Sequence, residues 1–295
     1  MTEIAVGGIL TGCIGCMVTV EILTRHSPEC MNLLTCSTFI FVSIIGFFKQ
    51  SHYFKRLPRS KVPLLRGYAR IVLIFFVVNI SNNLALRYDV SIPLFIIFRS
   101  GTLLANVLLG FCLRNRICSW GKLLSIMFVS MGVVLFTLAD QFSKHPTVEK
   151  DGESVQPSAI LYSSPGIFLL MFAALLSAYL GICQEDLYRT YGNHSQEAIF
   201  FIHALSLPGF LFFHNDIQQA IIHFNNSDTF FIFGLRFPIP SLWIYMVLNC
   251  IFQWICISNV HTLISLTTSL NVAMIITLRK FLSMVLSLVP PNVLI

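Results

Sequence analysis

Long apolar runs, each about one bilayer thick, alternate along this chain with short polar connections. A membrane-crossing helix needs about 20 predominantly apolar residues. Nine stretches meet that requirement: 4–24, 30–48, 68–86, 91–112, 121–139, 165–183, 197–214, 241–260 and 266–289. The longest polar connections, 140–164 and 215–240, are too short to fold as separate soluble domains. The expectation is therefore one all-α polytopic transmembrane domain over 1–295. The polar segment 140–164 leaves five spans before it and four after it. That division suits two inverted five-helix repeats, 1–140 and an incomplete 160–295, a plan common among carriers. Gly8 and Gly12, four residues apart on the first span, permit close helix packing. Pro93 and the Pro208–Gly209 pair mark bends.

Composition agrees with the pattern. Hydrophobic residues make up 56% of the 295 positions and charged residues 11%, against roughly 25% charged in a soluble domain. Mean hydropathy is +0.79. Glu3 precedes the first span without any Lys or Arg, so this span reads as a retained helix rather than a secretory leader. The net charge of +6 is uneven. Lys49, Lys55, Arg56, Arg59, Lys61, Arg66, Arg70, Arg114, Arg116, Lys122 and Arg189 fall in one set of alternate loops. Only Arg25, Arg87, Lys144, Lys150 and Arg236 fall in the other. The positive-inside rule places the N-terminus and the richer set in the cytosol. The segment 49–70 then serves as a topology determinant rather than a nucleic-acid patch. Asn225-Asn226-Ser227 is a glycosylation sequon on the opposite, lumenal face, whereas those at Asn79 and Asn193 lie in a span and a cytosolic loop.

The chemistry worth following is cationic. Arg99 lies inside IPLFIIFRSGTLLANVLLG, and Arg279 and Lys280 lie inside LNVAMIITLRKFLSMVLSLV. Neither stretch carries an acidic residue. A cation at mid-bilayer costs at least about 2.5–3.5 kcal/mol on insertion scales, so it faces a polar cavity and a partner. A bound anion is the natural partner here. In a five-plus-five repeat the fourth and ninth spans are equivalent, which brings the three cations to one central cavity as a clamp for phosphates. Two unrelated snorkelling sites are the alternative. Further candidate ligands are Asn82, Asn83, Ser100, Asn106, Tyr188, Asn249 and Gln253. Their amides and hydroxyls suit a nucleobase or sugar, and interhelical hydrogen bonding is the competing role for each.

Enzymatic chemistry has little to build on. Cys13 and Cys16 form a C-x-x-C, but without a second pair or a nearby His they read as small helix residues. The eight histidines show no metal-ligand spacing, and neither a Walker loop nor a nucleophile elbow occurs. No cofactor and no nucleic-acid partner is expected.

NNLAL, IPLFIIFRSGTLLANVLLG, GICQEDLYRTYGNHSQEAIFFIHALSLPGFLF and LNVAMIITLRKFLSMVLS together resemble the nucleotide-sugar transporter family, in its UDP-xylose/UDP-N-acetylglucosamine branch. The similarity runs from the first span to about residue 287, with FRSG and TLRKF its most specific segments. It implies a ten-helix drug/metabolite-transporter fold in Golgi or endoplasmic reticulum membrane. It also implies import of a UDP-sugar in exchange for UMP, with basic residues of the fourth and ninth helices on the phosphates. Whether the carrier works as a homodimer is left open. Family members continue into a tenth helix, where this chain reads VPPNVLI; the paired prolines end the ninth. The expectation is nine spans and a lumenal C-terminus. The ninth span opens HTLISLTTSLN, without the acidic residue of close relatives, so sugar choice does not carry over. The rival readings are a carrier for another organic phosphate anion and a non-transporting truncated form.

Overall fold

The computed structural model describes residues 2–51, 60–87, 101–114, 164–227, 229–232, 235–287 and isolated helical positions between 120 and 135. It is helical apart from one two-stranded hairpin. The helices are α1 Thr2–His26, α2 Met31–Gln50, α3 Ala69–Arg87, α4 Thr102–Arg114, α5 Ser164–Tyr191, α6 Ser195–Ser206, α7 His214–Asn225, α8 Ser241–Leu266 and α9 Ser269–Ser287. Among the described residues five helical segments have the length and composition to cross a membrane: Glu3–Thr24, Met31–Gln50, Pro165–Tyr191, Ser195–Asn225 and Ser241–Leu266. Shorter apolar helices cover Ala69–Ala85, Thr102–Leu113 and Ser269–Leu278. Among the described residues every expected span therefore has helical backbone, the span 121–139 only at isolated positions. Pro93 lies outside the described residues.

Local chemistry explains the breaks. α1 stops just before Ser27, the residue preceding Pro28, where the proline ring disfavours helical backbone. α5 runs to Tyr191 and is closed by Gly192, whose φ of 87° suits glycine. Its N–H bonds the Tyr188 carbonyl at 3.0 Å. Pro208 and Gly209 fall in a 3-10 stretch, Leu207–Phe213, that separates α6 from α7. The connection 215–240 is more ordered than a polar loop. Ile217, Ala220, Ile221 and Phe224 recur at helical spacing and make α7 amphipathic. β1 (Thr229–Ile232) then pairs antiparallel with β2 (Leu235–Pro240).

The chain forms two compact units. Unit 1 comprises 1–76, 183–268 and 282–295. Within it α1 lies along α8, and the glycines of α1 set the distance. A Cβ on Gly12 would stand 2.8 Å from the Cys256 backbone nitrogen and 3.0 Å from the Phe252 carbonyl oxygen. The Gly8–Gly12 packing role read from the sequence is what the interface uses, and Gly15 extends it against the Phe252 ring. Cys13 is disulfide-bonded to Cys256 across this interface, with Cα atoms 5.3 Å apart. Sequence spacing gave no sign of that partner, 243 residues away. α2 packs beside α6, and Phe39, Phe75, His203 and Phe210 interlock as an aromatic box. Leu23, Cys30, Leu33, Leu34, Phe224, Leu242 and Met246 close one end of the unit as an apolar cluster.

Unit 2 comprises 77–182 and 269–281, thus the second half of α3, α4, most of α5 and the first part of α9. Leu103, Ala105, Leu170, Ala173, Ala178 and Val272 are buried in it. α5 meets α9 at Gly181, where a Cβ would be in ordinary contact with Ser269 Cβ at 3.4 Å. Phe168, Met171, Phe172 and Leu175 of α5 are exposed, a pattern suited to hydrocarbon rather than water.

Candidate anion-binding site

The three cations sit differently with respect to what the structure describes. Arg99 and Ser100 lie outside the described residues, directly before Gly101 and α4. Arg279 and Lys280 are in the interior of α9, on continuous helical backbone. Unit 2 includes both the α4 segment and the α9 residues up to Phe281.

Three of the candidate amides belong to unit 2. Asn82 is half-buried on α3, and its Nδ2 donates to the Val78 carbonyl at 2.9 Å. Asn83 and Asn106 are buried. Asn106 differs from the others because its Oδ1, though buried, has no hydrogen-bond partner among the described residues. An orphaned buried acceptor is uncommon and costly. On α4 it leaves one polar atom ready for a ligand.

The remaining candidates are in unit 1, and protein groups meet them. Asn249 Oδ1 accepts from Thr19 Oγ1 at 3.0 Å and from Cys16 Sγ at 3.3 Å. Cys16 Sγ also reaches Gln253 Oε1 at 2.7 Å. Both amides of α8 therefore bridge to α1, which is the interhelical role. Tyr188 is buried, and its hydroxyl shares a 2.6 Å hydrogen bond with His261 Nδ1. Asn225 is exposed at the end of α7, where its Oδ1 accepts from Trp243 Nε1 at 2.9 Å. That contact uses the amide oxygen, and a glycan would join the nitrogen.

Sequence reasoning passed over several buried polar residues of unit 1. His203 is fully buried; its Nδ1 donates to the Ile199 carbonyl at 2.7 Å, and Nε2 is without a partner among the described residues. Phe39 and Phe75 meet its ring edge-on, with centroids 5.0 and 5.1 Å away. Glu197 is 3% exposed and gathers four donors from the segment before α3. The available signal was a charge or imidazole inside an otherwise apolar run, the same signal that selected Arg99. Among the described residues no group of three His, Cys, Asp or Glu forms a metal site.

Cations in apolar runs mark this membrane protein, and residues 1–290 match the UAA transporter family. The chain belongs to that family. It is 38% identical over 287 residues to the nucleotide sugar transporter SLC35B4 of Mus musculus, covering 96% of this chain and 85% of the relative. It is 38% identical over 288 residues to the UDP-xylose and UDP-N-acetylglucosamine transporter of Danio rerio, covering 97% of this chain and 86% of the relative. The endoplasmic reticulum GDP-fucose transporter of Drosophila melanogaster is 33% identical over 293 residues, with 95% and 81% covered. Family and relatives are transporters, not enzymes, which agrees with the missing catalytic motifs.

Proposed function

We propose that this protein is an antiporter that imports a UDP-sugar, UDP-N-acetylglucosamine or UDP-xylose, into the Golgi or endoplasmic reticulum lumen in exchange for UMP. The observation that carries the reading is the occurrence of Arg99, Arg279 and Lys280 inside apolar sequence runs that offer no acid. A nucleoside diphosphate sugar supplies the counter-charge. Arg99, Arg279 and Lys280 neutralise the phosphates, and Ser100 with Asn82, Asn83 and Asn106 supplies polar groups around them. The orphaned Oδ1 of Asn106 supports its share in this role. The names of the zebrafish and mouse relatives support the substrate class, and the fruit-fly relative's name supports the compartment. The N-terminus faces the cytosol, as the loop charges require, and Asn225 carries the glycan. Alternating access rocks one repeat of the two-repeat plan, 1–140 and 160–295, against the other. In this reading Asn249 and Gln253 hold α1 to α8 and Tyr188 holds His261, rather than touching substrate directly.

The test is uptake of labelled UDP-N-acetylglucosamine and UDP-xylose into proteoliposomes with and without UMP trapped inside. Uptake that depends on trapped UMP is expected. Arg99→Ala should abolish it in a protein that still elutes as a folded species, and undiminished uptake by that variant would overturn the assignment. Excess free UMP outside separates this reading from a carrier for another organic phosphate, which UMP would not block.

A further inference from the structure

Glu197 is a buried carboxylate that receives four hydrogen bonds, and nothing in the proposed substrate site uses it. It sits in the first turn of α6 and is 3% exposed. One oxygen, Oε1, receives the Ser60 hydroxyl at 2.9 Å, the Lys61 N–H at 2.9 Å, the Val62 N–H at 3.2 Å and the Tyr68 hydroxyl at 3.2 Å. All four donors belong to the segment 60–68, which leads from the basic connection into α3. Two of them are backbone groups of the non-helical stretch that precedes Leu64, so no helical carbonyl satisfies them. The carboxylate also stands at the positive end of α6.

Within the fastened segment Val62, Gly67 and Tyr68 are buried, whereas Lys61, Pro63 and Leu64 are exposed. Tyr68 stacks on Phe201 of α6 with ring centroids 5.5 Å apart. Leu64–Tyr68 forms a π-helical turn, a form that recurs at functional sites. A cavity of about 190 Å³, lined in part by Gln50, Lys61, His194 and Gln196, lies beside Glu197. A buried charge that water can reach once its covering segment lifts suits a contact that breaks and re-forms.

We propose that Glu197 is a positioning residue for transport: its carboxylate latches the segment 60–68 onto α6, and the latch opens and closes during the transport cycle. The inference rests on the transporter reading but is tested partly without it. Full-length carrier in liposomes is digested briefly with trypsin, and cleavage of the Lys61–Val62 bond is timed by mass spectrometry. Cleavage there requires the pinned backbone to open locally. Glu197→Ala should speed it at least about tenfold, since four bonds to a charged acceptor are lost. Glu197→Gln keeps an acceptor oxygen without the charge and should fall between. Equal cleavage in wild type and Glu197→Ala would overturn the fastening.

Movement of the latch is read in wild type. UDP-N-acetylglucosamine outside with UMP inside should raise Lys61–Val62 cleavage several-fold over vesicles holding neither. Glu197→Gln should lower the maximal exchange rate while leaving the half-saturating concentration of UDP-N-acetylglucosamine nearly unchanged. A cleavage rate indifferent to nucleotide in a carrier that does exchange makes Glu197 a static strut and overturns the latch. A wild-type carrier that takes up no UDP-sugar sinks the transport reading, while the Glu197→Ala comparison still decides the fastening.

Discussion

A methyl group added to α1 has opposite consequences at two glycines five residues apart. A Cβ on Gly7 meets nothing within 4 Å, while one on Gly12 meets backbone atoms of Cys256 and Phe252 at 2.8 and 3.0 Å. Backbone does not swing aside as a long side chain does, so Gly12→Ala must push α1 off α8. Overpacking of this kind costs about 1–3 kcal/mol. Gly7→Ala removes a flexible residue from a helix interior and should stabilise by up to about 1 kcal/mol. Thermal unfolding of the two variants in one detergent checks both signs. A Gly12→Ala protein as stable as wild type would mean that α1 and α8 are not packed as described. Sequence spacing pointed to Gly12 through its partner Gly8. What stands opposite Gly12 and Gly7 is set by the fold and has no sign in that spacing.

At the scale of elements, apolar runs were legible and their terminations were less so. Each expected span has helical backbone where the structure describes it, since hydrophobic length alone specifies a bilayer helix. α5 runs on to Tyr191 because Gln184, Glu185 and Tyr188 are buried within unit 1. Polarity looked like a loop there until neighbours were known. α7 and the hairpin were hidden in a connection that reads as polar overall, although Ile217, Ala220, Ile221 and Phe224 carried the helical period. Cys13–Cys256 was invisible, because pairing over 243 residues leaves no local pattern. This geometry also fixes what the sequons report. Asn193 and Asn225 bracket the apolar segment Ser195–Asn225, which is long enough to cross a bilayer. Only one of them can face the lumen. The loop charges favour Asn225, so Asn225→Gln should remove a glycosidase-sensitive gel shift while Asn193→Gln leaves it intact. The reverse result would invert the orientation. Cys13→Ser should likewise release the link between α1 and α8 on a non-reducing gel after cleavage between them, whereas Cys16→Ser should not.

For the whole molecule, the decisive quantity is the charge the carrier must move when empty. Each unneutralised cation at mid-bilayer costs at least about 2.5–3.5 kcal/mol, and each 1.4 kcal/mol added to a barrier slows a step about tenfold. Even one cation of Arg99, Arg279 and Lys280 left without an anion would slow reorientation on the order of 100-fold. Charge, and not recognition of the base, should therefore couple the two directions of transport. Uridine carries the same base and ribose as UMP but no phosphate, so it isolates that contribution. Trapped UMP should raise the initial uptake of UDP-N-acetylglucosamine at least about tenfold over empty vesicles, and trapped uridine should leave it at the empty rate. Replacing both Arg279 and Lys280 with Gln should shrink the gap between UMP-loaded and empty vesicles, because the returning carrier then has less charge to compensate. Uridine that accelerates uptake as well as UMP does would place the coupling in contacts to the base, and the cationic clamp would no longer account for the proposed exchange.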